Sequence, residues 1–361
     1  MPLKPNETSE TSEVPIARFA FVVIPRFNMM TLTTLIETLR VANYLSPRPR
    51  YEWQYITFDE PDVIASNGLS IEAKTLEQAG QEFDMVFVLG SWGCEHTDNP
   101  ELFNWLRWLN MRGITICGVE LGVYLLAKAK LLSKKLATTH WSCLAGFAEL
   151  YPRVNLSEQI YTIDRNIITC SGGTAGIDLM LYLIGIRHGD YLKSEIADQI
   201  LHYPIRDAQA RQRHTLGSSA ERVHPVIYKA IELIEKNIAE PITVPQIAQQ
   251  IGLSQRQLER YFKRDMGCSL IQFSQLLRLQ YARVLLTSTE ISVREASVAS
   301  GFNSMSHFSY AFMKCFGKTP SQYRYAWPES DNAPSWPGTV FSLIESTREK
   351  ALVQVNPAEH G

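Results

Sequence analysis

The chain repeats itself once, and the repeat decides the character of its last third. VPQIAQQIGLSQRQLERYFKRDMG at 244–267 returns as VREASVASGFNSMSHFSYAFMKCFG at 293–317. Gly252 falls over Gly301, Leu253 over Phe302, Leu258 over Phe308, Phe262 over Phe312 and Gly267 over Gly317. Self-similarity of this kind marks one supersecondary module used twice. Each copy reads as a short apolar helix, a turn at Gly252 or Gly301, and a second helix. In that second helix the Leu258/Phe262 or Phe308/Phe312 pair fixes the buried face. The opposite face presents Gln255, Arg256, Glu259 and Arg260 in the first copy, and Ser304, Ser306, His307 and Tyr310 in the second. A glycine turn permits the helix-turn-helix bend, and the second helix of such a unit enters a DNA major groove. Between the copies, SLIQFSQLLRLQYARVLL (269–286) has apolar residues every three or four positions. That pattern predicts one long helix, which would hold the two readers roughly 34 Å apart, one duplex turn.

Charge agrees with this reading. The formal net charge is only −2, yet residues 221–325 hold 13 basic and 8 acidic side chains, a net of +5 that leaves −7 elsewhere. A basic stretch suits a polyanion, though it also suits a solvated helical surface. The 361 residues are enough for two domains. Six scattered cysteines, at 94, 117, 143, 170, 268 and 315, have no CxxC spacing, so no disulfide framework, metal site or cofactor is expected. The start, MPLKPNETSETSEV, is polar, and no apolar run approaches the roughly 20 residues of a membrane-spanning helix. A reducing cytoplasm, on the nucleoid when DNA is bound, and no membrane partner are the expectations.

The first half alternates strand and helix. RFAFVVIP (18–25), EWQYITF (52–58), DMVFVLG (84–90), GITICG (113–118) and NIITCSGG (166–173) are short, apolar and bounded by turn residues. TLTTLIETLRVANYL and NPELFNWLRWLNMRG carry helical periodicity. The fold class that follows is α/β, a parallel sheet flanked by helices, joined to an all-α carboxy-terminal domain with two helix-turn-helix units. In such sheets a crevice opens at the carboxyl ends of the strands. PRFNM, SWGCE, GVELG and GGTAG follow four of those strands and should converge there. The expected boundaries are a tail at 1–16, a sensor at 17–186, a coupling helix and linker at 187–221, a DNA-binding domain at 222–325 and a tail at 326–361. Within the linker, the polar stretch at 214–221 is the break itself.

GFNSMSHFSYAFMKCFGKTPSQYR resembles the signature of the AraC/XylS family of transcriptional regulators, and the likeness extends over about residues 222–325. The resemblance implies a seven-helix domain with reader helices at Ser254–Lys263 and Ser304–Cys315. Candidate DNA-binding residues are Ser254, Gln255, Arg256, Gln257 and Arg260, then Ser304, Ser306, His307 and Tyr310. Tyr310 stands where the family often has Arg, which moves the expected contacts toward Ser304, Ser306 and His307. Lys263, Lys314 and Lys318 fit phosphate contacts that set affinity and salt dependence, or equally solvated lysines.

ICGVELGVYLLAKAKLL (116–132) reads as a buried strand, a sharp turn and a helix, with an acid at the turn. Residues 17–186 resemble the class I glutamine amidotransferase-like (PfpI-like) fold. With an AraC-type reader they resemble the GlxA-type regulators, a group that includes sensors of arginine, carnitine and glycine betaine. In enzyme relatives of that fold this turn carries a nucleophilic Cys; here it carries Glu120, which cannot form the thioester of an amidotransferase. Glu120 could instead serve the helix dipole, worth about 0.3 to 1 kcal/mol, pair with a cation of the protein, or contact a ligand. Phe27, Trp92 and Trp141 lie on segments expected at the same crevice, and a carboxylate among rings suits a quaternary ammonium, where cation–π attraction reaches about 2 kcal/mol.

His140 is a further ligand candidate, or a histidine settled by an internal hydrogen bond. Gly172 and Gly173 could offer backbone N–H groups with Thr174 adding a hydroxyl, or could form a tight turn. Cys94 reads as a structural thiol, and Cys117 and Cys170 as core. The whole reads as a ligand-responsive activator of catabolic genes. Its partners would be promoter DNA, a methylated amine or basic amino acid as effector, RNA polymerase and a second copy of itself. Two rivals stand beside it: an amidase or hydrolase using Cys94 or His140, and a constitutive DNA-binding protein whose first domain only dimerises.

Overall fold

From the amino end the first unit runs β1 (Ala17–Val23), α1 (Met29–Tyr44), β2 (Tyr51–Thr57), β3 (Asp62–Ile64), β4 (Ser70–Glu72), β5 (Lys74–Thr75) and β6 (Met85–Gly90). It continues through α2 (Pro100–Met111), β7 (Thr115–Glu120), α3 (Gly122–Lys128), β8 (Leu136–Ala137), α4 (Leu144–Leu150) and β9 (Asn155–Leu156). β10 (Tyr161–Asp164), β11 (Ile167–Cys170), α5 (Ala175–His188) and α6 (Asp190–Gln199) complete it. The computed structural model describes residues 15–80, 82–91, 93–212, 224–289 and 291–324.

Seven strands form one sheet in the order β10-β11-β7-β6-β1-β2-β5, all parallel except β10, which pairs antiparallel with β11. Side chains alternate between its faces, as the two-residue period of a strand requires. Phe19, Phe21 and Val23 join Leu32, Leu35, Leu179 and Ile184 on the α1/α5/α6 side. Ala20 and Val22 join Leu102, Leu106, Val123 and Phe147 on the α2/α3/α4 side. Cys117 and Cys170 are wholly buried, as expected of strand cysteines.

Three features differ from the sequence reading. Strand β7 runs two residues beyond Gly118 to Glu120, which pairs opposite Gly90 of β6. β10 went unseen because its hairpin turn is Arg165–Asn166, with Arg165 at φ +61°, and lacks the Asn-Gly or Asp-Gly signature of such turns. The division between the units falls after Gln212, so residues 187–212 of the expected coupling segment belong to the first unit. Ile196 and Ala197 of α6 are fully buried in the α1/α5 core, which is the physical reason. The polar stretch 214–221, residues 1–14 of the amino-terminal tail and the carboxy-terminal tail 326–361 lie outside the described residues.

The second unit contains α7 (Pro225–Lys236), α8 (Val244–Ile251), α9 (Gln255–Met266), α10 (Leu270–Ser288), α11 (Val293–Ala299), α12 (Met305–Phe316) and α13 (Pro320–Arg324). Helix α10 is the long bridge read from the sequence. Its Leu270, Phe273 and Leu277 complete the α7–α9 core, and its Leu279, Ala282, Leu285 and Leu286 complete the α11–α12 core. Capping boxes start four of these helices, at Thr243/Gln246, Ser254/Gln257, Ser269/Gln272 and Ser292/Glu295. Each satisfies backbone N–H groups that a helix start leaves open.

Candidate functional site

Glu120 sits at a strained turn between β7 and α3, with φ +58°. A non-glycine residue in that region costs roughly 1–2 kcal/mol and persists only where packing dictates it. The dictating contact is the approach of α3 to β6: any side chain at Gly122 would run into the carbonyl of Val88. The carboxylate is 6% exposed. Its Oε1 accepts from Asn28 Nδ2 at 3.3 Å and its Oε2 from the Thr31 hydroxyl at 3.0 Å. Thr31 in turn accepts from the Gly173 N–H at 2.9 Å, and the Thr34 hydroxyl donates to the Gly173 carbonyl at 3.0 Å. The segments after β1, β7 and β11 therefore converge, as their sequences predict.

All the polar partners of this carboxylate are neutral, and among the described residues no cation pairs with it. Burial pushes its pKa up from 4.5 to about 7, against the opposing pull of the Asn28 and Thr31 hydrogen bonds. Of the intramolecular alternatives, an ion pair is therefore not observed among the described residues.

The other sequence candidates divide. Phe27 follows β1 as expected but is wholly buried in the α1/α5 core, so its ring offers no face to a ligand. Trp92 lies outside the described residues. Trp141 is half-buried with its ring centroid 5.3 Å from that of His140. His140 Nδ1 lies 2.7 Å from the Ser142 hydroxyl and caps the short 3-10 turn Trp141–Cys143. The Gly173 N–H is held by Thr31, and the Thr174 hydroxyl accepts from Arg206 Nη2 at 2.9 Å, so both groups are engaged within the protein. The Cys94 thiol donates to the Leu121 carbonyl at 3.0 Å, and burial pushes its pKa well up.

Sequence reasoning missed a second constellation. Asp178 of α5 is fully buried; Arg206 binds it through its backbone N–H (2.8 Å), Nε (3.0 Å) and Nη2 (2.6 Å), and His202 Nε2 lies 2.9 Å away. Six residues on, the Gln212 amide donates to the Thr138 hydroxyl at 2.9 Å and to the Thr139 carbonyl at 2.8 Å. Residues 202–212 thus form a strap tied to the sensor at both ends. A lone acid within AGIDLMLYLIGI was the signal available, since a charge on an apolar helix needs a partner. Beside the strap, Tyr161, Tyr182, Lys193, Ile205 and Arg206 help line a cleft of about 650 Å³ that does not include Glu120.

In the second unit Leu258, Phe262, Phe308 and Phe312 are all fully buried, so α9 and α12 present the faces read from the repeat. Gln255, Arg256, Glu259, Arg260 and Lys263 are exposed on α9; Ser306, His307, Tyr310 and Lys314 are exposed on α12, and Lys318 follows it. Ser254 and Gln257 spend their side chains on each other in a capping box, and the Ser304 hydroxyl accepts from the His307 N–H at 3.4 Å. These three side chains start the helices and remain exposed. Gly301 packs at φ +75° against the Ile238 carbonyl and Pro241. Arg278 of α10 locks the same turn, lying 4.1 Å over the Phe302 ring and donating to the carbonyls of Ser300 and Gly301.

Among the described residues no helix is long and apolar enough to cross a membrane. Residues 17–185 match the DJ-1/PfpI family, and residues 247–326 match a helix-turn-helix domain family. The HTH-type transcriptional regulator CdhR of Pseudomonas aeruginosa is 34% identical over 320 residues, 89% of this chain and 95% of that protein. The regulator GbdR of the same species is 36% identical over 312 residues, 85% and 84% of the two chains. The regulator GlxA of Rhizobium meliloti is 33% identical over 313 residues, 86% and 96% of the two. With both domains matched and these relatives aligned over most of their length, the chain belongs to the HTH-type transcriptional regulators that join an AraC-type DNA-binding domain to a DJ-1/PfpI domain.

Proposed function

We propose that this DNA-binding regulator senses a small cationic metabolite at the Glu120 elbow. The observation that carries the reading is a buried carboxylate whose partners among the described residues are all neutral, with a pKa pushed up to about 7. Asn28 and Thr31 use two of the roughly four acceptor positions of a carboxylate. The remaining positions suit an N–H-bearing cation, such as a guanidinium or primary ammonium, and a methylated amine satisfies the charge without the hydrogen bonds. Binding would convert a half-protonated acid into an ion pair and favour one arrangement of the protein over another, which is all an effector can do.

The regulator acts as a homodimer in the cytoplasm, binding promoter DNA and contacting RNA polymerase as an activator. The elbow performs no catalysis: the Cys94 thiol is buried, held by the Leu121 carbonyl and far from ionising at neutral pH, which argues against a nucleophile. Calorimetry of the full chain against arginine, choline, glycine betaine, carnitine and dimethylglycine tests the reading. Binding of one of them, lost in Glu120→Gln, is expected. Binding that survives Glu120→Gln would favour the 650 Å³ cleft beside the strap as the effector site. Turnover of amide substrates that disappears in Cys94→Ala would make the chain an enzyme.

A further inference from the structure

The two reader helices are copies of one another in backbone and unlike in surface chemistry. With Leu258 over Phe308 and Phe262 over Phe312, all fully buried, the exposed positions correspond one to one. Gln255 becomes Met305, Arg256 becomes Ser306, Arg260 becomes Tyr310 and Lys263 becomes Met313. Three cations on α9 are replaced on α12 by one hydroxyl and two large, largely apolar side chains. Tyr310 is 63% exposed, Met313 47% and Met305 38%. Lys314 and Lys318 remain beside this patch as exposed cations. An apolar patch flanked by cations matches a major groove in which base methyl groups lie between phosphates.

Resting on the reading of α9 and α12 as groove-entering helices, we propose that the two read different base chemistry. Helix α9 recognises guanine through Arg256 and Arg260, whose guanidinium groups match the O6 and N7 acceptors. Helix α12 recognises thymine by packing Met305, Tyr310 and Met313 on C5 methyl groups, with Lys314 and Lys318 on the flanking phosphates. Base choice in the first half-site then comes from the guanidinium groups and in the second from methyl contacts, while Lys263, Lys314 and Lys318 on the phosphates set the salt dependence.

The test begins with an operator selected from random duplexes by the full chain. The half-site whose guanine preference disappears in Arg256→Ala belongs to α9, and the other to α12. Thymines are then replaced with deoxyuridine, which removes only the methyl group. Replacement in the α12 half-site is expected to weaken binding about fourfold for each contacted methyl, and replacement in the α9 half-site to leave it unchanged. The double variant Tyr310→Ala/Met313→Ala should lose most of the preference for thymine over uracil operators, with an unaltered salt slope, whereas Lys314→Ala should lower that slope. Indifference to uracil in the α12 half-site, with the operator still selected, overturns this inference alone. Unchanged DNA affinity of the double variant with loss of promoter activation also overturns it, because the patch then faces a protein. Failure to select any operator removes the reader-helix reading itself and this inference with it.

Discussion

Gln212, the last described residue of the sensor unit, is bonded to Thr138 at 2.9 Å, and the neighbouring Thr139 hydroxyl donates to the backbone carbonyl of Glu120 at 2.7 Å. The residue that leads into the linker is therefore one side chain away from the elbow. Its amide also reaches the Thr139 and Gln159 carbonyls, while its own Oε1 is buried without a partner among the described residues. An unsatisfied buried acceptor is destabilising by about 1–3 kcal/mol, so the tie is held at a cost.

Gln212→Ala is accordingly expected to uncouple the two activities. Effector affinity measured by calorimetry should stay within about twofold, since Gln212 does not touch the carboxylate, whereas the effector-induced change in operator affinity should fall by at least half. A full response in Gln212→Ala would place the coupling elsewhere.

The stability of the sensor should depend on pH through Glu120. Its folded pKa, about 7, lies above the ordinary 4.5, so the contribution is fully present below pH 4.5 and is lost as pH rises through 7. The difference amounts to roughly 3 kcal/mol. Glu120→Gln carries no such charge, so its melting temperature should exceed that of the wild type at pH 8 and the gap should close toward pH 5. Parallel melting curves for the two proteins across that range would contradict the assignment.

Effector binding should show the same proton in reverse. A cation that needs the ionised carboxylate binds about tenfold more weakly for each pH unit below 7, and calorimetry in buffers of different ionisation enthalpy should count close to half a proton released at pH 7.

Asp178→Asn leaves Arg206 facing a neutral amide inside the strap, and breaking one side of a buried pair is destabilising by about 3–5 kcal/mol. Because Arg206 is itself about one-third exposed, with its side chain at 32%, the lower end of that range is expected in calorimetric unfolding. Arg206 to lysine should recover little, since a single ammonium cannot reproduce the two-atom grip on Asp178 Oδ2.

Much of this was legible in the residues. The five central strands were apolar runs cut by turns, and the elbow announced itself as an acid where a strand meets a helix between two glycines. The paired readers were visible because the repeat preserves the buried positions. What escaped had no local signature. Phe27 sits in a loop, where neither of the periodicities that reveal burial applies, so its ring could be placed near the crevice but not on the correct side of it. Residues 187–212 look like a polar helix and coil; the burial of Ile196 and Ala197, the grip of Arg206 on Asp178 and the bonds of Gln212 to Thr138 and Thr139 make them part of the sensor. Asn28 and Thr31 read as an ordinary helix start, which they are, and their second function as donors to Glu120 depends on a residue 89 or more positions away.

The two turn glycines should differ in kind. A methyl at Gly301 meets the Ile238 carbonyl and Pro241, whereas one at Gly252 meets open space. Both have positive φ, so Gly252→Ala should lose about 1 kcal/mol and Gly301→Ala more than about 2 kcal/mol, read as separate shifts in calorimetric unfolding of the second unit.

The most direct measurement is operator affinity of the full chain, titrated with whichever amine binds, in the wild type and in Glu120→Gln at pH 7.5. The account predicts a change of about fivefold or more with the wild type, the lower range of allosteric coupling, and none with Glu120→Gln, whose affinity for the operator without effector is unaltered. An equal effector response in both proteins would contradict it.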